Sequence, residues 1–180
     1  MASTHIALLR GINVGGKNKL PMKQLAQVFS ELGCDEIRTY IQSGNVVFKA
    51  GDVGRFAPRL TKALHLRFGF QVPVVLRSAD ELDGIARRNP FLATGADPKS
   101  LHVAFLAEVP DPERPDELDP QRSPGDTFVV RGREVYLHCP NGFARTKLTN
   151  AYFDARLGTT STIRNWKTVL KLQGLVSNPT

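Results

Sequence analysis

Ala7-Leu8-Leu9-Arg10-Gly11-Ile12-Asn13-Val14-Gly15-Gly16-Lys17-Asn18-Lys19-Leu20-Pro21 is the stretch whose reading decides the fold. From His5 to Arg10 both alternating sets are apolar, Ile6 with Leu8 and Ala7 with Leu9, so both faces of this strand need cover and it belongs inside a sheet. The loop that follows carries three glycines, two asparagines and two lysines, a backbone suited to close approach. Pro21 then opens a helix in which Met22, Leu25, Val28, Phe29 and Leu32 form one apolar stripe, with Gly33 as its stop.

Working outward, Ile37 to Gln42 and Val46 to Lys49 read as a hairpin around Ser43-Gly44-Asn45. A two-residue turn at Ser43-Gly44 or at Gly44-Asn45 places Ile37, Thr39, Ile41, Val46 and Phe48 on one face. A second helix runs from Val53 to Phe68 and closes at Gly69, and Val72 to Leu76 is a strand that Pro73 assigns to an edge. The order βαββαβ is satisfied most simply by a ferredoxin-like sandwich with antiparallel strands ordered 4-1-3-2.

From Ser78 the pattern restarts. Ser78-Ala79-Asp80-Glu81 is a capping box for a helix ending before Asn89-Pro90, and Leu101 to Leu106 is a strand. The proline-rich, acidic segment from Val109 to Gly125 reads as a connection with one helical turn near Pro115 to Leu118. Thr127 to Val130 and Glu134 to His138 form a hairpin around Arg131-Gly132-Arg133. A helix from Thr149 to Leu157 and a last helix from Thr162 to Leu172, after the cap-type run Thr159-Thr160-Ser161, complete the chain. The expected class is α+β, with two ferredoxin-like α-β plait subdomains at 1–77 and 78–180, the second a degraded variant whose likeness to the first is topological rather than residue by residue.

Composition narrows the function. The 180 residues are 41% hydrophobic, enough for a core, and contain no apolar run long enough to span a bilayer. The first residues, Met1 to His5, lack the pattern of a signal peptide, so the expected location is cytoplasmic. Cys34 and Cys139 lie far apart, which gives neither a disulfide framework nor a cysteine metal site, and the four histidines stand singly. A net charge of +7 favours an anionic partner. That charge is concentrated late: Arg145, Lys147, Arg156, Arg164, Lys167 and Lys171 face a single acid, Asp154.

Gly11 to Lys17 spells the start of a phosphate loop, G-x-x-x-x-G-K. Asn18 stands where the magnesium-holding hydroxyl should be, no Walker B aspartate follows, and the helix starts several residues too late. A looser role survives, in which exposed amides beside Lys17 and Lys19 cradle an anion. In the 4-1-3-2 sheet this loop and the Ser43 hairpin emerge at one end, so the expected ligand-binding set is Arg10, Gly11, Asn13, Gly15, Gly16, Lys17, Ser43, Gly44 and Asn45. Arg145, Lys147, Arg164 and Asn165 form a second candidate anion clamp. No catalytic arrangement, metal set or cofactor motif is legible.

Three segments together carry a resemblance: Ala7 to Gly16, Thr39-Tyr-Ile-Gln-Ser-Gly-Asn-Val-Val-Phe48, and Thr162-Ile-Arg-Asn-Trp-Lys-Thr-Val-Leu-Lys-Leu172. They resemble the bacterial family known as domain of unknown function 1697, over nearly the whole chain. The resemblance implies a pair of α-β plait subdomains and no established activity. Within it, Ile163 and Lys167 replace the usual Thr and Asn, and Asp154 stands where Glu is usual.

The favoured function is therefore binding of a small phosphorylated or carboxylated ligand at the glycine-rich loop. A nucleic-acid-binding module is the alternative, weakened because the third strand offers only Phe48 as an aromatic and that residue faces the core. The third reading is a structural or interaction protein without ligand.

Overall fold

A computed structural model describes residues 1–178. It divides into two compact units, residues 1–82 with the segment that begins at Leu172, and residues 83–171. In the first unit, β1 (Ser3–Leu9), α1 (Met22–Glu31), β2 (Asp35–Tyr40), β3 (Asn45–Ala50), α2 (Phe56–Phe68) and β4 (Val74–Ser78) follow in order. The sheet order is β2-β3-β1-β4, the expected arrangement, and all neighbours are antiparallel. Both faces of β1 are buried, because Ile6 and Leu8 on one side and Ala7 and Leu9 on the other are essentially inaccessible.

The helix-covered face holds the core. Leu25, Val28 and Phe29 of α1 and Phe56, Leu60 and Leu64 of α2 pack on Ala7, Leu9, Val46 and Phe48. At its centre Phe48 stacks on Phe56 (ring centroids 4.9 Å) and meets Phe29 edge-on (5.1 Å), the offset geometries that aromatic quadrupoles favour. Gly69 ends α2 in the left-handed conformation (φ +79°) and its N–H donates to the His65 carbonyl.

The second unit repeats the path. After α3 (Ala79–Arg87), β5 (Leu101–Leu106), β6 (Thr127–Arg131), β7 (Glu134–His138), α4 (Asn150–Leu157), β8 (Ser161–Asn165) and α5 (Trp166–Ser177) form a sheet of order β6-β7-β5-β8. A single 3-10 turn at Arg114–Glu117 stands where the first unit has α1. Tyr152 of α4 ties that connection down, its hydroxyl accepting from Asp119 N–H at 2.8 Å. Among the described residues no helix is long and apolar enough to cross a membrane.

Three sequence expectations are corrected. The first hairpin is closed by four residues, Ile41 to Gly44, since Tyr40 pairs with Asn45. Ile41 (φ +49°) and Gly44 (φ +87°) take left-handed conformations there, and Asn45 Nδ2 closes the loop by donating to Tyr40 O and Ser43 Oγ. The segment from Thr162 is not helical at its start: β-branched Thr162 and Ile163 pair in β8 with Phe105 and Ala104. The α5 helix begins at Trp166, two residues before Thr168, whose N–H is capped by Asn165 Oδ1 at 2.8 Å. The run Thr159-Thr160-Ser161 caps no helix; Thr159 Oγ1 accepts from Glu108 N–H, and Ser161 donates through N–H and Oγ to Asp154 Oδ1, each at 2.7 Å.

A residue-level correspondence between the halves also emerges, which the sequence pattern hides. His5 lies opposite Ser78 on β1 and β4, and His102 lies opposite Asn165 on β5 and β8; Ser78 and Asn165 each cap the helix that follows directly. One residue earlier stand Arg77 and Arg164, both buried, each donating from Nη1 to the carbonyl of the residue before it.

Burial lowers the pKa of both His5 and His102, opposed at His5 by the charge of Glu81 and at His102 by the Ser100 carbonyl. A lowered folded pKa means that the unfolded chain binds more protons below the ordinary histidine value of about 6.5. Stability should therefore be fully present above that value and decline as pH falls below it. Urea midpoints measured across this range check the sign: the double variant His5→Gln and His102→Gln should show a flatter pH slope, whatever its absolute stability.

Candidate functional site

The opening loop is built by Asn13. Its Nδ2 donates to the carbonyls of Leu20 (2.9 Å) and Gln42 (2.8 Å), and its Oδ1 accepts from Leu20 N–H (2.7 Å). A residue with φ of +54° is thus locked by three hydrogen bonds, and Asn is among the few side chains that tolerate this backbone. Gly44 adds a second tie, its carbonyl accepting from Leu9 N–H at 2.8 Å. The loop and the first hairpin therefore meet, as the topology requires.

Beyond Asn13 the chain makes a small hairpin of its own. Val14 and Lys17 pair, Lys17 N–H donates to Val14 O, and Gly15 and Gly16 have φ of +57° and +73°. Two successive left-handed residues define a type I′ turn, which explains the Gly-Gly pair. Asn18 Nδ2 returns to the Gly11 carbonyl at 2.9 Å. Lys17 and Lys19 are exposed and form no ion pair among the described residues. An open cavity of about 410 Å³ lies at this place, lined by Asn13, Gly16, Lys19, Leu20, Pro21 and Gln42. Of the other expected residues, Arg10 is half-buried with its N–H donating to Pro73 O, and Asn45 is fully buried within the turn.

Arg145, Lys147, Arg164 and Asn165 belong to the second unit. Arg145 and Lys147 are exposed, on and after a 3-10 turn at Phe143–Arg145, and Lys147 N–H donates to Ser123 Oγ. Arg164 instead lies inside. Its Nη1 donates to Thr162 Oγ1 (2.7 Å) and Ile163 O (3.0 Å), and loss of hydration lowers its pKa to about 10, still charged at neutral pH.

A larger cavity of the second unit, about 500 Å³, shares only Asn165 with the expected set. Lys99, His102, Phe143, Trp166, Lys167 and Leu170 also line it. The available signal was Phe143, an aromatic placed between Gly142 and Ala144-Arg145 in a polar loop. Among the described residues no group of three or more His, Cys, Asp or Glu could hold a metal ion.

A family model described as Protein of unknown function (DUF1697) matches residues 2–136. The chain belongs to this DUF1697 family. No curated protein matches the sequence. Among solved structures, the conserved bacterial protein SP0830 from Streptococcus pneumoniae is similar, with 21% identity and a TM-score of 0.77. The match covers 98% of this chain and 99% of that one. At that identity the likeness speaks for the fold, and this DUF1697 chain shares the α+β architecture over the matched 98% of its length.

Proposed function

We propose that this DUF1697 protein binds a small phosphorylated or carboxylated molecule at the opening loop. The observation that carries the reading is the Asn13 clamp, which fixes a glycine-rich turn beside the 41–44 hairpin and leaves two lysines without ion-pair partners at its rim. A preorganised turn binds without first losing conformational freedom, and the amides of Gly15 and Gly16 make no hydrogen bond among the described residues. In the second unit, Arg145 and Lys147 are the exposed cations to which the reading extends. Buried Arg164 contributes there by holding Thr162. A small ligand is favoured over RNA because β1 carries no Phe, Tyr or Trp, and the single such residue of β3, Phe48, is buried.

Thermal-shift screening of nucleotides, sugar phosphates and small carboxylates tests this. A ligand present at a hundred times its Kd should stabilise the fold by about 2.7 kcal/mol. Lys17→Gln with Lys19→Gln should remove most of that shift while leaving the unliganded melting point unchanged. A hit whose shift persists in the double variant would place the site elsewhere, and a screen without hits would count against the reading.

A further inference from the structure

The cavity of about 500 Å³ in the second unit combines features that separately have ordinary explanations and together do not. Phe143 lies nearly parallel over the His102 ring, with centroids 4.3 Å apart and an interplanar angle of 20°, yet it remains 37% exposed. Leu170 is 45% exposed on the same cavity, and buried Trp166 contributes a further aromatic wall. Exposed apolar side chains converging on one concavity are the usual lining of a ligand site.

One end of this cavity is electropositive. Lys99 and Lys167 line it, and neither forms an ion pair among the described residues. Trp166 and Lys167 open α5, a helix of 12 residues, so their amides have no acceptor within it. The next amide, Thr168 N–H, is already held by Asn165 Oδ1. Free first-turn amides beside two ammonium groups favour a compact oxyanion.

An independent observation comes from His102. The residue is 7% exposed, lines the cavity, and has a buried Nδ1 without a hydrogen-bond partner. Native proteins rarely leave such an atom unmatched, since doing so costs about 1–3 kcal/mol. Burial keeps this ring neutral, and its single N–H is directed at the Ser100 carbonyl, so Nδ1 is left as an acceptor aimed at a ligand N–H or O–H.

We propose that this cavity binds a small molecule in which a planar apolar ring carries a compact phosphate or carboxylate. The ring packs against Phe143 and Leu170, while Lys99, Lys167 and the start of α5 hold the anion. The inference is independent of the opening-loop reading, which concerns the other unit.

Trp166 is the only tryptophan in the chain, so its fluorescence reports directly on the cavity. The full chain would be titrated with phenyl phosphate and with benzoate, using phenol and inorganic phosphate as controls. The expected result is a saturable change with at least one aryl anion, and affinity lower by about tenfold or more for both controls, the scale of one lost charged contact. Phe143→Ala and the double variant Lys99→Gln with Lys167→Gln should each weaken binding by about tenfold, with unchanged circular dichroism. Lys17→Gln should leave it intact. The proposal is overturned if neither aryl anion saturates, if phenol or phosphate binds equally well, or if both cavity variants keep wild-type affinity.

Discussion

Gly44→Ala should cost about 2–4 kcal/mol of stability, far more than the added methyl group suggests, because backbone strain and overpacking act together. With φ at +87°, any side chain here is held in a conformation that L residues avoid. The new Cβ would also lie 2.7 Å from Leu9 Cβ and 2.9 Å from Ile12 Cδ1. Neither neighbour yields easily, since Leu9 ends the central strand and both residues are buried. Relief would require moving the Gly44 carbonyl from Leu9 N–H, a bond that ties the hairpin to the end of β1.

Gly132 supplies the control. Its φ is +58° and no atom lies within 4 Å of where a Cβ would stand, so Gly132→Ala should cost about 1 kcal/mol from backbone strain alone. Urea unfolding of both variants separates the terms. Equal losses would mean that the close approach of Leu9 contributes nothing.

The contrast shows what the sequence could and could not disclose. Strand β1 was legible because its two apolar sets carry the signature of a strand covered on both faces, and Pro73 correctly marked β4 as an edge. The turn at Gly44 was not. Ser43-Gly44-Asn45 is compatible with several loop lengths, and the four-residue closure is selected by Leu9 N–H and by the side chain of Asn45, contacts distant from or internal to the loop. Similarly, Thr162-Ile163-Arg164 lies beside a strong helical pattern and was absorbed into it, whereas pairing with β5 makes it a strand. Tertiary pairing overrode local propensity there.

Side-chain consumption was equally hidden. Asn13 reads as a plausible ligand contact, yet its amide already makes three hydrogen bonds inside the protein. Arg164 reads as a surface cation in a basic tail, yet it is buried at the position matched by Arg77 in the first unit. A pattern specifies residue type and spacing; it does not say which polar atoms the fold has already used. The remaining candidates are the lysines of the loop rim and the residues around His102.

Phe48→Ala should be the most destabilising single change in the first unit, at about 3–5 kcal/mol, which is a large part of the 5–15 kcal/mol that typically separates folded from unfolded domains. Phe48 is fully buried on β3 and touches both covering helices through rings, Phe29 on α1 and Phe56 on α2. Removing it deletes the stacked contact and the edge contact at once. It also opens a cavity walled by strands that cannot collapse without breaking the pairing of His5 with Phe48 and of Ile6 with Val47. Phe143, 37% exposed over His102, offers a contrasting case, and its alanine variant should lose less than Phe48→Ala because part of its surface is already in solvent. Chemical denaturation would place Phe48→Ala well below wild type and Phe48→Leu between them, since leucine refills most of the volume and restores apolar contact without the ring geometry. A Phe48→Ala midpoint close to wild type would show that the three-ring cluster is not the centre of this core.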